Sequence, residues 1–178
     1  MLIPRQPVPG LTAETISHGT FDLANDGAEW GTLVVFYRGL HCPICATYLK
    51  ELERLTPEFE KRGVKTVALS SDDADRAAQM AEKVAADNLR FGHSVPLTVA
   101  KDWGLYISTS RGTTSIGIEE PALFSEPGVF LVRSNGELYF ASVQTMPFVR
   151  PHFQEMVGAL DFVKANDYPG RGEYTGAV

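Results

Sequence analysis

Residues 32–37, Thr-Leu-Val-Val-Phe-Tyr, carry β-branched and aromatic side chains with no polar alternation. A strand of that kind needs both faces of its sheet covered. Directly after it, Ile44, Tyr48, Leu49, Leu52, Leu55 and Phe59 recur at helical spacing, with Lys50, Glu51, Glu53 and Arg54 on the opposite face. The pattern then repeats. Residues 64–69 form a second apolar run, Ser70-Ser71-Asp72-Asp73 offers N-cap residues, and residues 74–86 read as an alanine-rich helix. Strand, helix, strand, helix implies right-handed crossovers and parallel pairing, and therefore an α/β fold.

The remaining chain adds smaller pieces. Residues 12–23 read as two short strands turning at His18-Gly19, followed by a turn at Asn25-Asp26-Gly27. Thr56 and Pro57 predict a kink or restart in the first helix, which Gly63 then ends. Residues 94–99 are expected to be extended, residues 101–106 a brief helical turn containing Trp103 and Tyr106, and residues 108–126 a long loop. Asn135-Gly136 predicts a hairpin between strands at 128–132 and 138–143, because both residues tolerate positive φ. Residues 151–164 form a last amphipathic helix. No repeat or linker divides the 178 residues, so one domain is expected over 1–178, with 1–11 and 168–178 extended or loosely ordered.

The net charge of -6 comes from scattered residues, and no Lys/Arg cluster forms a nucleic-acid footprint. The start has three prolines in ten residues and no signal-peptide core, and no apolar run approaches the roughly 20 residues of a membrane span. A soluble, cytoplasmic protein without nucleic-acid or membrane partners is expected.

Two cysteines, Cys42 and Cys45, are the only ones in the chain, and they stand where the first strand gives way to the first helix. In a reducing compartment a close pair is more often catalytic, redox-sensing or metal-binding than structural. Three residues apart at a helix start, the two side chains lie on nearly one face and can reach disulfide distance. The first thiol is favoured as a thiolate by free backbone N–H groups and the helix dipole. Cys42 is thus the expected nucleophile and Cys45 the resolving thiol, with His41, if protonated, adding to the stabilisation. An inert pair and a metal-binding pair remain the alternatives. His18, His93 and His152 are dispersed and read as surface histidines.

Residues 34–45, Val-Val-Phe-Tyr-Arg-Gly-Leu-His-Cys-Pro-Ile-Cys, resemble the active-site segment of the peroxiredoxin-like, or AhpC/TSA-type, proteins of the thioredoxin-fold superfamily. The resemblance extends from about Thr12 to Lys164. It implies a thioredoxin-like fold with a central mixed sheet and helices on both faces, and no cofactor. It makes Cys42 the attacking cysteine and Cys45 its partner, and it places Pro127 where thioredoxins hold a cis-proline beside the dithiol. Arg150 resembles an arginine near the peroxiredoxin active site. Several positions depart from the family. Val35 and Gly39 replace the proline and hydroxyl residue of the P-x-x-x-T/S-x-x-C pattern, and Phe36 replaces the buried acid of thioredoxins. Pro127 stands where many peroxiredoxins carry a peroxide-binding arginine, so Arg38 or Arg150 would supply that charge. Glu126, if close, would raise the Cys42 pKa.

The function expected from these residues is that of a thiol-dependent oxidoreductase cycling Cys42 and Cys45 between dithiol and disulfide and reducing peroxides. A thioredoxin-like protein-disulfide reductase is the alternative within the same chemistry, and a metal- or partner-binding module the alternative outside it. The implied partners are a peroxide or disulfide substrate and an external thiol reductant, thioredoxin or glutathione-like, with a possible homodimer.

Overall fold

The structure, a computed structural model, describes residues 1–178. In chain order it contains β1 (Thr12–Glu14), β2 (Thr20–Asp22), β3 (Gly31–Phe36), α1 (Pro43–Glu60), β4 (Val64–Leu69), α2 (Ala74–Val84), β5 (Arg90–Gly92), α3 (Leu97–Asp102), β6 (Ile107–Thr109), β7 (Leu123–Ser125), β8 (Gly128–Arg133), β9 (Leu138–Val143) and α4 (Phe153–Ala165). Five strands form one sheet in the order β5-β4-β3-β8-β9. β3 lies at its centre, parallel to β4 and antiparallel to β8, and every residue of β3 is buried. The sheet is mixed, as expected.

Alternation along β3 divides the interior in two. Leu33, Val35 and Tyr37 join a core with Leu49, Leu52 and Phe59 of α1, Met80 and Val84 of α2, and Phe153, Val157 and Leu160 of α4. Val34 and Phe36 face the other way, into a core with Ala13, Phe21, Ala100, Trp103, Phe130 and Val132. Helices therefore cover both faces, α3 and the β1–β2 hairpin lying opposite α1, α2 and α4. Trp103 is fully buried against Phe36 and Phe130, which accounts for the apolar residue at position 36. None of the four helices is long and apolar enough to cross a membrane.

The structure refines several local expectations. α1 runs through Pro57 to Glu60 without a restart. The proline lies in the last turn, where it removes one backbone bond, and the burial of Leu55 and Phe59 holds the turn in place. Thr56 does not cap; its hydroxyl donates to the Leu52 carbonyl at 2.9 Å and lies 2.9 Å from the Thr66 hydroxyl. Residues 97–99 are not extended but open α3, since Pro96 occupies the N-cap and Ala100 is drawn into the core. Residues 108–126 are a loop only in their middle: their ends pair antiparallel as β6 and β7, and a further bridge between Thr113 and Glu119 ties the connecting residues into an arm. Of the two states expected for residues 1–11, extended or loosely ordered, residues 5–8 take a bound path along the β8–β9 hairpin: Arg5 N–H donates to Leu138 O at 2.8 Å, Leu138 N–H to Gln6 O at 3.0 Å, and Val8 N–H to Gly136 O at 3.0 Å.

Two glycines test the packing in opposite directions. A Cβ at Gly31 would fall inside the contact distance of the Val132 backbone carbonyl on the neighbouring strand, whereas one at Gly158, exposed in α4, would meet nothing within 4 Å. Gly31→Ala is expected to lower the urea midpoint by the equivalent of about 1–3 kcal/mol. Gly158→Ala should raise it by about 0.5–1 kcal/mol, because it removes backbone entropy without strain.

Candidate active site

β3 delivers the chain to the site, and Tyr37 N–H extends the ladder to Leu69 O at 3.0 Å. The next turn passes through Gly39 at φ 135°, a conformation that L side chains rarely adopt. A Cβ there would lie 2.9 Å from both Asp72 carboxylate oxygens and 3.0 Å from His41 Nδ1. Only glycine lets the backbone come so close. Cys42 N–H then closes the turn onto Gly39 O at 3.1 Å, and Cys42 becomes the N-cap of α1 with Pro43 following. Its Sγ accepts the Cys45 N–H at 3.3 Å, which satisfies one of the free amides at the helix start.

Both cysteine residues are nearly enclosed, Cys42 2% and Cys45 0% exposed. One guanidinium reaches them: Arg150 Nη2 donates to Cys45 Sγ at 3.2 Å and lies 3.8 Å from Cys42 Sγ. Tyr48 holds that arginine in place. Its ring lies under the guanidinium at 5.1 Å and stacks on Phe153 at 4.2 Å, and its hydroxyl donates to Pro151 O at 2.6 Å. The Cys42 thiol is pushed down to about 6, chiefly by the Cys45 thiol hydrogen-bonded to it; burial opposes the shift, and the Cys45 N–H and the charges of Arg150 and Arg38 assist. Burial, then the adjacent Cys42 sulfur, pushes the Cys45 thiol up. The two thiols are thus separated in acidity by their surroundings, with Cys42 the one ionised near neutrality.

Arg38 has a different environment. It sits between Glu120, at 3.4 Å, and Glu126, at 3.2 Å but without hydrogen-bond alignment, and its guanidinium covers Phe124 at 4.7 Å. Glu126 also accepts from Ser108 Oγ at 2.7 Å, and Glu120 from Arg111 N–H at 2.7 Å. Glu126 is therefore turned to Arg38 and Ser108, and the main influences on Cys42 are Cys45, burial, Arg150 and Arg38. Glu120 belongs to this cluster yet gave no signal in the sequence, since it lies in the arm read as a loop.

Two expectations fail here. His41 does not act as a cation: burial first, then the charges of Arg38 and Arg76, push it down to about 4, so the buried ring is neutral at pH 7. It packs on Phe124 at 4.7 Å. The Glu126–Pro127 bond is trans, as is every peptide in the chain, so the cis-proline is absent. The chain passes from β7 directly into β8, with Glu126 N–H donating to Tyr106 O and Pro127 O accepting Gln144 N–H, an extended path that the favoured trans isomer fits.

A model of the AhpC/TSA family matches residues 4–141, which include β3, the dithiol and most of the sheet. The chain belongs to the AhpC/TSA family. Two relatives of this AhpC/TSA chain are the 1-Cys peroxiredoxin PER1 of Arabidopsis thaliana, 35% identical over 81 residues, 46% of this chain and 37% of that protein, and the 1-Cys peroxiredoxin of Dirofilaria immitis, 30% identical over 79 residues, 39% and 34%. The chain thus matches about a third of the length of these curated relatives. Among solved structures, peroxiredoxin 6 of Arenicola marina superposes with a TM-score of 0.76 at 17% identity, covering 94% of this chain and 76% of that one. BcpB of Mycobacterium tuberculosis gives 0.71 at 16%, covering 92% and 99%. At such identities the likeness establishes a shared fold, the peroxiredoxin form of the thioredoxin-like α/β architecture.

Alkylation by iodoacetamide reads the thiolate directly. In the reduced protein, Cys42 labelling should titrate with a midpoint near 6, where the thiol has been pushed down to about 6. Removing an opposite charge within hydrogen-bond reach disfavours the anion, so Arg150→Met should raise that midpoint by about 1–3 units. Cys45 should resist labelling until well into the alkaline range.

Proposed function

We propose that the chain is a thiol peroxidase in which Cys42 attacks the peroxide and Cys45 resolves the product. The observation that carries this reading is the Cys42 sulfur at the α1 N-cap, pushed down to about 6 beside a second thiol held up by burial. The relatives' name, 1-Cys peroxiredoxin, describes a single working cysteine, whereas this chain packs a second one against the first.

The Cys42 thiolate attacks the terminal, hydrogen-bearing oxygen of R–O–O–H; the O–O bond breaks, Cys42 becomes a sulfenic acid, and the departing alkoxide takes a proton from solvent water to leave as R–OH. The Cys45 sulfur then attacks the sulfenic sulfur. An S–S bond forms, the S–O bond breaks, and hydroxide leaves with the Cys45 proton as water. Two electrons from an external thiol reductant, thioredoxin or glutathione-like, return the disulfide to the dithiol. Arg150 lies where it can balance negative charge at either sulfur during both steps.

Burial separates this reading from protein-disulfide reduction. With both cysteine residues buried, a small peroxide can reach Cys42 more readily than a disulfide carried on a folded protein. Peroxide consumption with dithiothreitol as reductant, run beside reduction of a protein disulfide, tests this. Cys42→Ser should lose peroxide turnover on the order of 10³-fold or more. Cys45→Ser should keep the first turnover and lose the internal disulfide. Faster turnover of the protein disulfide than of peroxide would favour the reductase reading, and an unchanged rate in Cys42→Ser would end both.

A further inference from the structure

Asp72 lies just past β4, in a segment whose capping role is taken by its neighbour: Asp73 accepts the Arg76 N–H at 2.9 Å and opens α2. The Asp72 side chain is 0% exposed and points the other way, into the turn that leads to Cys42. Its Oδ2 accepts the Leu40 N–H at 2.7 Å and its Oδ1 accepts Arg76 Nε–H at 3.0 Å. Arg76 continues to Glu119 O in the arm, at 3.3 Å, and stands 3.5 Å from His41 Nδ1. A buried carboxylate is costly unless its partners are specific, and these partners belong to the catalytic turn, α2 and the arm.

We propose that Asp72 is the positioning residue for Cys42: its carboxylate fixes the Leu40 amide and, through the turn closed by Cys42 N–H on Gly39 O, aims the Cys42 sulfur at the Cys45 amide. The proposal rests on Cys42 being the nucleophile of the preceding section. Gly39 is the second half of the device, because a Cβ there would crowd both Asp72 oxygens at 2.9 Å. Arg76 neutralises the carboxylate and holds it in register.

Charge and position predict opposite signs, which makes the proposal testable. The charged or titratable groups around Asp72 are Arg76, Asp73, Tyr37 and His41; those acting on Cys42 are Cys45, Arg150 and Arg38. Removing the Asp72 charge leaves the Arg76 cation unbalanced, and by charge alone that would favour the Cys42 thiolate and lower its titration midpoint. Freeing the turn carries the sulfur away from the Cys45 amide and raises the midpoint.

The test is the pH dependence of Cys42 alkylation by iodoacetamide in reduced Asp72→Ala, with circular dichroism as the check on folding. The midpoint should rise by about one unit or more. Asp72→Asn, of equal volume, carries the test if the alanine variant does not fold: its single carbonyl oxygen cannot serve both Leu40 and Arg76, so a smaller rise is expected. Peroxide turnover at a pH where Cys42 is ionised in every variant should fall roughly 10–100-fold, as misplaced reactive groups do. An unchanged or lowered midpoint in a folded variant overturns the proposal. Because alkylation needs no peroxide, this outcome is independent of whether the chain consumes peroxide, which Cys42→Ser decides.

Discussion

Hydrogen-bond donors converging on one buried sulfur set the terms for the rest of this molecule. Burial opposes the Cys42 thiolate, so holding the thiol down at about 6 requires partners that outweigh that desolvation. A helix dipole supplies about 0.3–1 kcal/mol at such a position, too little against the burial that opposes it. Hydrogen bonds to a charged group contribute about 1.5–3 kcal/mol each, so the Cys45 thiol and amide, with the Arg150 charge behind them, are the right size. The helix start creates the place for the anion, and these partners supply most of the energy.

Those partners are brought in by remote parts of the chain. Cys45 comes with the first turn of α1, but Arg150 arrives from the segment before α4, more than a hundred residues later. The α4 end is docked on α1 by Tyr48, which contacts Arg150, Pro151 and Phe153 together. Packing of the last helix and acidity of the first thiol are therefore one problem. The two arginines near the site divide the work. Arg38 is spent on Glu120 and Glu126, where it holds the arm over the turn, while Arg150 faces the sulfurs.

What could be read from sequence follows from how many residues carry each signal. β3 and β4 are marked by unbroken apolar runs and α1 by its helical spacing, and Asn135-Gly136 marks its hairpin, with Gly136 alone taking a positive φ, 84°. Cys42, Cys45 and Arg150 came from spacing and resemblance, and the structure brings the three into contact. β5, β6 and β7 have three residues each, too few for any period, and the polar arm joining β6 to β7 looks like a loop. The neutral state of His41 and the trans bond at Pro127 depend on neighbours from other elements. Asp72 was legible only as part of a capping cluster, because the Leu40 amide it holds follows the neighbouring strand, 32 residues away in sequence.

The central claim, that the Cys42 thiolate reacts and Cys45 completes the reaction within the chain, is tested most directly by mass spectrometry after one equivalent of hydrogen peroxide. The account predicts a chain lighter by two hydrogens, with the Cys42 and Cys45 sulfurs linked in the tryptic peptide that contains both. A chain heavier by one oxygen at Cys42, with Cys45 still alkylatable, would contradict it.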